Sequence, residues 1–182
     1  NRKEIKDLLC YLRLINNFKD DVSLLRVINV PKRKIGEKTI DNLTNIANIN
    51  GTSLFDAITD GKELAFKNLI IKLKEECENL SLTEMVELVL DKSGLKEELV
   101  NEKTLDSEIR LENLEEFKSI TKNYEEEYGV ISLDDFLNEI SLVSDMSEHQ
   151  DGNNKVSLMT VHSVKGLEFD NVFVIGLEEG IF

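Results

Sequence analysis

Apolar residues recur every three or four positions through most of the chain, the spacing that lines one face of a helix. Ile5, Leu8, Leu9, Leu12 and Ile15 predict a helix from Arg2 to Asn16. A second helix carries Leu24, Leu25, Val27 and Ile28, with Asp20 or Asp21 as its cap, since a short carboxylate can accept from first-turn amides. Asn29-Val30-Pro31 ends it, because the residue before a proline avoids the α region. Residues 31–36 form a short basic turn closed by Gly36. A third helix follows, with Ile40, Leu43, Ile46 and Ala47 inward, up to the Asn50-Gly51 turn.

The same periodicity continues downstream. Ser53 to Ile58 reads as a short helix broken at Asp60-Gly61, and Leu64 to Leu80 as a long one with Phe66, Leu69, Ile70, Leu73 and Cys77 on its apolar face. Ser81 and Glu84 have capping-box spacing, so each side chain can answer the other's orphan amide. The helix they open carries Met85, Leu88 and Val89 and stops near Gly94; a short one spans Lys96 to Asn101. The longest runs from Leu105 to Glu127 on a stripe of Leu114, Phe117, Ile120 and Tyr124, and Gly129 closes it. Ser132 and Asp135 form a second capping signal, before a helix that buries Leu133, Phe136, Leu137 and Ile140.

The character changes at Ser144. Residues 144–155 are polar, acidic and glycine-containing, the composition of a linker. Val156 to Val161 and Asn171 to Ile175 are rich in β-branched and aromatic residues and predict two strands around the polar stretch His162 to Asp170. Two strands make no stable sheet alone, so they imply partners elsewhere, or edges that fray or self-associate. The expected fold is mainly α, with a partial α/β segment at the carboxyl end. The chain begins at Asn1 rather than Met and stops on Ile181-Phe182 without an evident cap, which reads as a piece of a longer protein, with residues 1–16 returning to lie beside the strands.

Composition sharpens this picture. One proline and no tryptophan in 182 residues favour long uninterrupted helices. Cys10 and Cys77 lie in helical patterns among apolar neighbours and read as buried free thiols; no Cys-His cluster has metal-ligand spacing. No apolar run approaches the ~20 residues that span a bilayer. The net charge of -14 argues against binding nucleic acid over the whole surface. It is unevenly spread: residues 1–50 hold ten Lys and Arg against six Asp and Glu, whereas residues 51–182 hold twelve against thirty. A phosphate-binding face is therefore sought around Arg26, Lys32, Arg33, Lys34 and Lys38.

Two places carry candidate chemistry. His162 follows the first expected strand, near Thr160, Lys165 and Glu168, where functional polar residues collect in α/β sheets. Ser163 beside it sits in no nucleophile elbow, and His149 lies in the acidic linker. There is no glycine-rich loop with a Lys-Ser/Thr pair to cradle phosphates. The other place is Val30-Pro31-Lys32-Arg33-Lys34-Ile35-Gly36, which leads into a helix start. Exposed amides there attract phosphate, nearby cations add charge, and Gly36 lets a backbone approach closely. Helix, basic turn and helix together are similar to the helix-hairpin-helix device that grips duplex backbone without reading sequence. A second such turn is Lys92-Ser93-Gly94.

The string from Leu158 to Phe169, with its continuation from Val172 to Phe182, resembles the fifth motif of the UvrD/PcrA/Rep family of superfamily 1 ATP-dependent DNA helicases. Arg2 to Asp7 resembles the start of the helix that leaves the family's second RecA-like domain. Leu25 to Arg33 resembles the opening of the accessory domain inserted in it. The resemblance covers essentially the whole chain and implies three parts: residues 1–16 as an edge of the second RecA-like domain, 17–152 as the inserted helical domain, and 153–182 as a partial RecA-like segment. It implies a bacterial, cytoplasmic motor that uses ATP and Mg2+, moves 3′ to 5′ on single-stranded DNA and unwinds duplex in repair and replication, with repair or transcription proteins as partners.

By that resemblance Thr160 and His162 face single-stranded DNA, Gly166 and Glu168 face ATP, and Lys165 couples the two sides. Lys32, Arg33, Lys34, Gly36 and Lys38 become the duplex candidates. The family often has glycine where this chain has Lys34, and a left-handed conformation there costs a lysine about 1–2 kcal/mol. Either the turn differs or Lys34 adds a phosphate contact. The phosphate loop, the magnesium acids, the single-strand aromatic motif and the final arginine motif are not in this sequence, so this stretch is expected to be inactive by itself. Two other readings compete with this one: a helical protein-interaction module with no DNA role, and part of a related helicase-nuclease.

Overall fold

Helix α1 (Lys3–Asn16) is the axis around which the amino-terminal body is built. The computed structural model describes residues 2–129, 131–148 and 171–173. Along them follow α2 (Asp21–Val27), α3 (Glu37–Asn50), α4 (Leu54–Ala57), α5 (Gly61–Cys77), α6 (Leu82–Ser93), α7 (Leu95–Glu102), α8 (Leu105–Tyr128) and α9 (Leu133–Glu148). Two units divide the chain, residues 1–138 and residues 139–182.

In the first unit α1 packs against α2, α5, α6 and α8. With neighbours on several sides it buries more than one stripe: Leu8, Tyr11, Leu12 and Leu14 are fully enclosed, and Ile15 nearly so. Each enclosed Leu contributes about 1.5–3 kcal/mol. From α5, Phe66, Ile70 and Leu73 complete this core, and α6 adds Val86 and Val89. Phe117 of α8 and Phe136 of α9 meet edge to face, 6.2 Å between ring centroids, and fasten the first turn of α9 to this body.

The ends of the helices follow the expected caps. Ser23 N donates to Asp20 Oδ1 at 2.9 Å at the start of α2. Ser81 and Glu84 form the reciprocal capping box of α6. Gly51 and Gly94 take the left-handed conformation at the ends of α3 and α6, as glycine readily does. Gly61 opens α5 rather than breaking the chain before it. Two residues expected inward face solvent, Leu25 at 43% and Ile120 at 52% exposed.

The second unit contributes the end of α9 and residues 171–173 to the description. α9 continues to Glu148, through five residues expected to start a linker.

The expected partial α/β, RecA-like segment is overturned. Every element among the described residues is a helix, and Asn171–Phe173, expected to open a strand, carry no regular structure. Val172 and Phe173 are exposed. A β-branched and aromatic run favours a strand only when a neighbouring strand and a buried face receive it, and among the described residues these three have neither. The strand expected at 156–161 and the rest of the second lie outside the described residues. The fold described is all-α, and no strand edge that could carry self-association is present among the described residues.

Candidate nucleic-acid interface

The basic turn bridges α2 and α3. Asn29 organises it from within: its Oδ1 accepts from Arg33 N at 2.7 Å and from Ile35 N at 3.3 Å, a side chain replacing the backbone acceptors that a tight turn lacks. Ile35 is 2% exposed and anchors the far side of the loop in the core. Lys34, between the two tethered amides, has a φ of 60°, the left-handed region. The turn therefore keeps a glycine-like backbone at the position where this chain has lysine.

Lys32, Lys34 and Lys38 are exposed, and none forms an ion pair among the described residues. Gly36 is the residue before α3, and no side chain caps that helix. First-turn amides at such an end are left for water or for an incoming acceptor. A Cβ at Gly36 would meet nothing within 4 Å, so the approach to this backbone is open.

Arg33 behaves differently from the lysines beside it. Its Nη1 donates to the carbonyls of Val27 at 3.3 Å, Ile28 at 3.5 Å and Pro31 at 3.1 Å. Its Nη2 donates to the Tyr11 hydroxyl and to the Ser93 carbonyl, both at 2.8 Å. The guanidinium lies 5.3 Å from the centroid of the Phe66 ring, within cation–π range. A cation here also faces the carboxyl end of α2, where the helix dipole is negative. Burial pushes the Tyr11 phenol up to about 12, against the opposing pull of Arg33. Arg26 is also committed internally, its Nε 2.8 Å from Asp7 Oδ1.

The second turn lies against the first. A Cβ on Gly94 would sit 3.5 Å from Pro31 Cγ, and the Ser93 carbonyl is held by Arg33. Ser93 is buried and its hydroxyl accepts from Leu95 N at 3.2 Å, while Lys92 is exposed. Behind both turns a cavity of about 40 Å³ is bordered by Val30, Leu95, Glu98 and Arg110, room for a water or two and not for a nucleotide.

The structure thus brings Lys32, Lys34, Gly36 and Lys38 to one exposed turn and withdraws Arg33 into the body. Thr160, His162, Lys165, Gly166 and Glu168 lie outside the described residues. Sequence reasoning missed Asn29 and Tyr11. The asparagine just ahead of the proline turn was a readable signal; for Tyr11 there was none, since its partner Arg33 is twenty-two residues away.

The family model for the UvrD-like helicase C-terminal domain matches residues 1–182, and the chain belongs to that family. Among curated proteins, the ATP-dependent DNA helicase PcrA of Staphylococcus aureus (strain Mu50) is 47% identical over 195 residues, covering 100% of this chain and 27% of the relative. PcrA of Staphylococcus epidermidis (strain RP62A) is 46% identical over the same coverage. The chain thus spans about 27% of the length of the curated relatives it matches.

Proposed function

We propose that this chain is the duplex-contacting and regulating part of an ATP-dependent DNA helicase, with residues 17–152 as an inserted accessory domain. The observation that carries the reading is the exposed turn at 32–38. Three lysines whose ammonium groups form no ion pair among the described residues surround an uncapped helix start whose glycine leaves the backbone open. Such a surface suits phosphates and reads no bases. The similarity to proteins named as ATP-dependent DNA helicases supports the same reading.

In this proposal Thr160 and His162 face single-stranded DNA, and Lys165, Gly166 and Glu168 face ATP. Bound with Mg2+ in the whole protein, ATP supplies the energy for movement along DNA. The acidic remainder of the surface turns polyanions away, so contact is confined to the basic turns.

Fluorescence anisotropy of a labelled duplex against this chain, over a series of salt concentrations, tests the reading. Affinity should fall steeply with salt, and Lys34→Ala or Lys38→Ala should each flatten the logarithmic salt slope by about one. Gly36→Ala should weaken binding while costing no more than about 1 kcal/mol of stability. Duplex affinity unaffected by all three substitutions, together with salt-insensitive capture of a protein partner, would replace this reading with that of an interaction module.

A further inference from the structure

We propose that Arg33 is a positioning residue that holds the turns at 31–36 and 92–94 as one phosphate-facing unit, a role that rests on the duplex reading above. Arg33 belongs to the first turn in sequence, yet its Nη2 donates to the Ser93 carbonyl of the second at 2.8 Å. On the first turn its Nη1 holds the Pro31 carbonyl at 3.1 Å, and the same atom reaches the end of α2 at Val27. The Pro31 ring lies against Gly94, so the two turns touch where the guanidinium joins them. A further polar contact of the first turn, Lys32 N to Glu98 Oε1 of α7, is longer at 3.4 Å and does not reach the second turn.

The chemistry of the side chain suits a brace. A guanidinium offers donors in a fixed planar fork, keeps its charge at any working pH, and can satisfy several carbonyls in different directions. A lysine at the same place has one nitrogen and cannot reach both turns. Both Nη atoms of Arg33 already point at protein oxygens, so it is ill placed to serve as a phosphate ligand as well. The cations presented outward are Lys32, Lys34 and Lys38 on one turn and Lys92 on the other. Two turns held in fixed register meet a duplex together, without each having to be ordered separately on binding.

The test is a set of substitutions in the intact chain, read by duplex affinity at low salt. With Arg33 present, Lys34→Ala and Lys92→Ala should each weaken binding by about threefold. In an Arg33→Gln background Lys34→Ala should keep its effect and Lys92→Ala should lose it, because the second turn no longer meets DNA in register. Arg33→Lys should behave like Arg33→Gln. A role in general stability alone would lower the melting temperature of Arg33→Gln and leave both lysine effects in place; that result overturns the proposal.

A second readout needs no DNA. Spin labels on Lys34→Cys and Lys92→Cys should give a narrow distance distribution that broadens with Arg33→Gln. Cys10 and Cys77 are buried and should not compete for label. An unchanged distribution overturns the brace. If neither lysine matters with Arg33 present, the duplex reading fails, and the distance measurement judges the brace independently. Should Arg33→Gln lose its helicity, Arg33→Lys carries both measurements; loss of helicity in both variants assigns Arg33 to the fold as a whole and also overturns the proposal.

Discussion

Glu125 of α8 closes the amino end of α6 from across the helix interface: its Oε2 accepts from the Thr83 hydroxyl at 2.6 Å, and its Oε1 accepts from the amides of Thr83 and Leu82. Beside them Thr83 Oγ1 lies 3.2 Å from the hydroxyl of fully buried Thr121. A carboxylate at a helix start satisfies orphan amides and faces the positive end of the dipole.

Glu125→Ala should therefore destabilise the chain by about 2 kcal/mol, since it leaves half-buried donors without an acceptor. Glu125→Gln keeps one acceptor oxygen and should lose about half as much. Urea unfolding followed by circular dichroism measures both. Equal midpoints for the alanine variant and the parent would show that water replaces the carboxylate without loss.

Lys34 has a left-handed backbone that glycine adopts freely. Lys34→Gly should raise the free energy of unfolding by about 1 kcal/mol while weakening duplex binding. Stability and affinity then move in opposite directions. A variant that becomes less stable would mean that the turn is not strained at this position.

The two turn glycines should respond differently to alanine. Gly94 has a φ of +85°, and Gly94→Ala should cost about 1–2 kcal/mol through the backbone, its new methyl meeting Pro31 Cγ at an ordinary 3.5 Å. Gly36 has a φ of -95° and open space around it, so Gly36→Ala meets neither strain nor crowding and should cost only about 0.5–1 kcal/mol, through the poorer cap that alanine makes. Thermal melts of the pair separate conformational strain from crowding, and similar losses for both would contradict the assignment.

Alkaline pH should weaken the fold from within. The buried Tyr11 phenol is raised from its ordinary 10 to about 12, and the Cys77 thiol from 9 to about 11, burial leading in both and the Glu76 carboxylate adding to the second. Both are favoured neutral in the folded chain and ionise earlier once unfolded. Their stabilisation is complete below about pH 9 and is lost between about pH 9 and 12, at up to about 1.4 kcal/mol per pH unit for each group. Phenolate absorbance should contain a late component from Tyr11, titrating above the ordinary tyrosine range. A stability profile flat through this range would contradict the burial argument.

Local signals in the sequence were enough to place most helix ends. Asp20, the Ser81–Glu84 pair, Gly51 and Gly94 act on their own neighbours, so their work is visible within four residues. The basic turn was legible for the same reason, and the strain at Lys34 could be read from the family's glycine. Arg33 was not legible. In a Lys-Arg-Lys string it looks like a third outward charge, and only the approach of Ser93, sixty residues away, shows that it faces in. Leu25 and Ile120 failed similarly: periodicity predicts a stripe, but the neighbouring helix decides how much of it is covered. At Asn171–Phe173 a strand-like composition met no partner among the described residues.

The enclosure of α1 has a mechanical consequence. Its neighbours include α2, which leads into the first turn, and α6, which leads into the second. A close-packed interior compresses little, so α1 is an axle rather than a strap. Torque applied to it passes into both helices that lead to the lysine-bearing turns, and the Arg33 brace keeps the two tips in register as they turn.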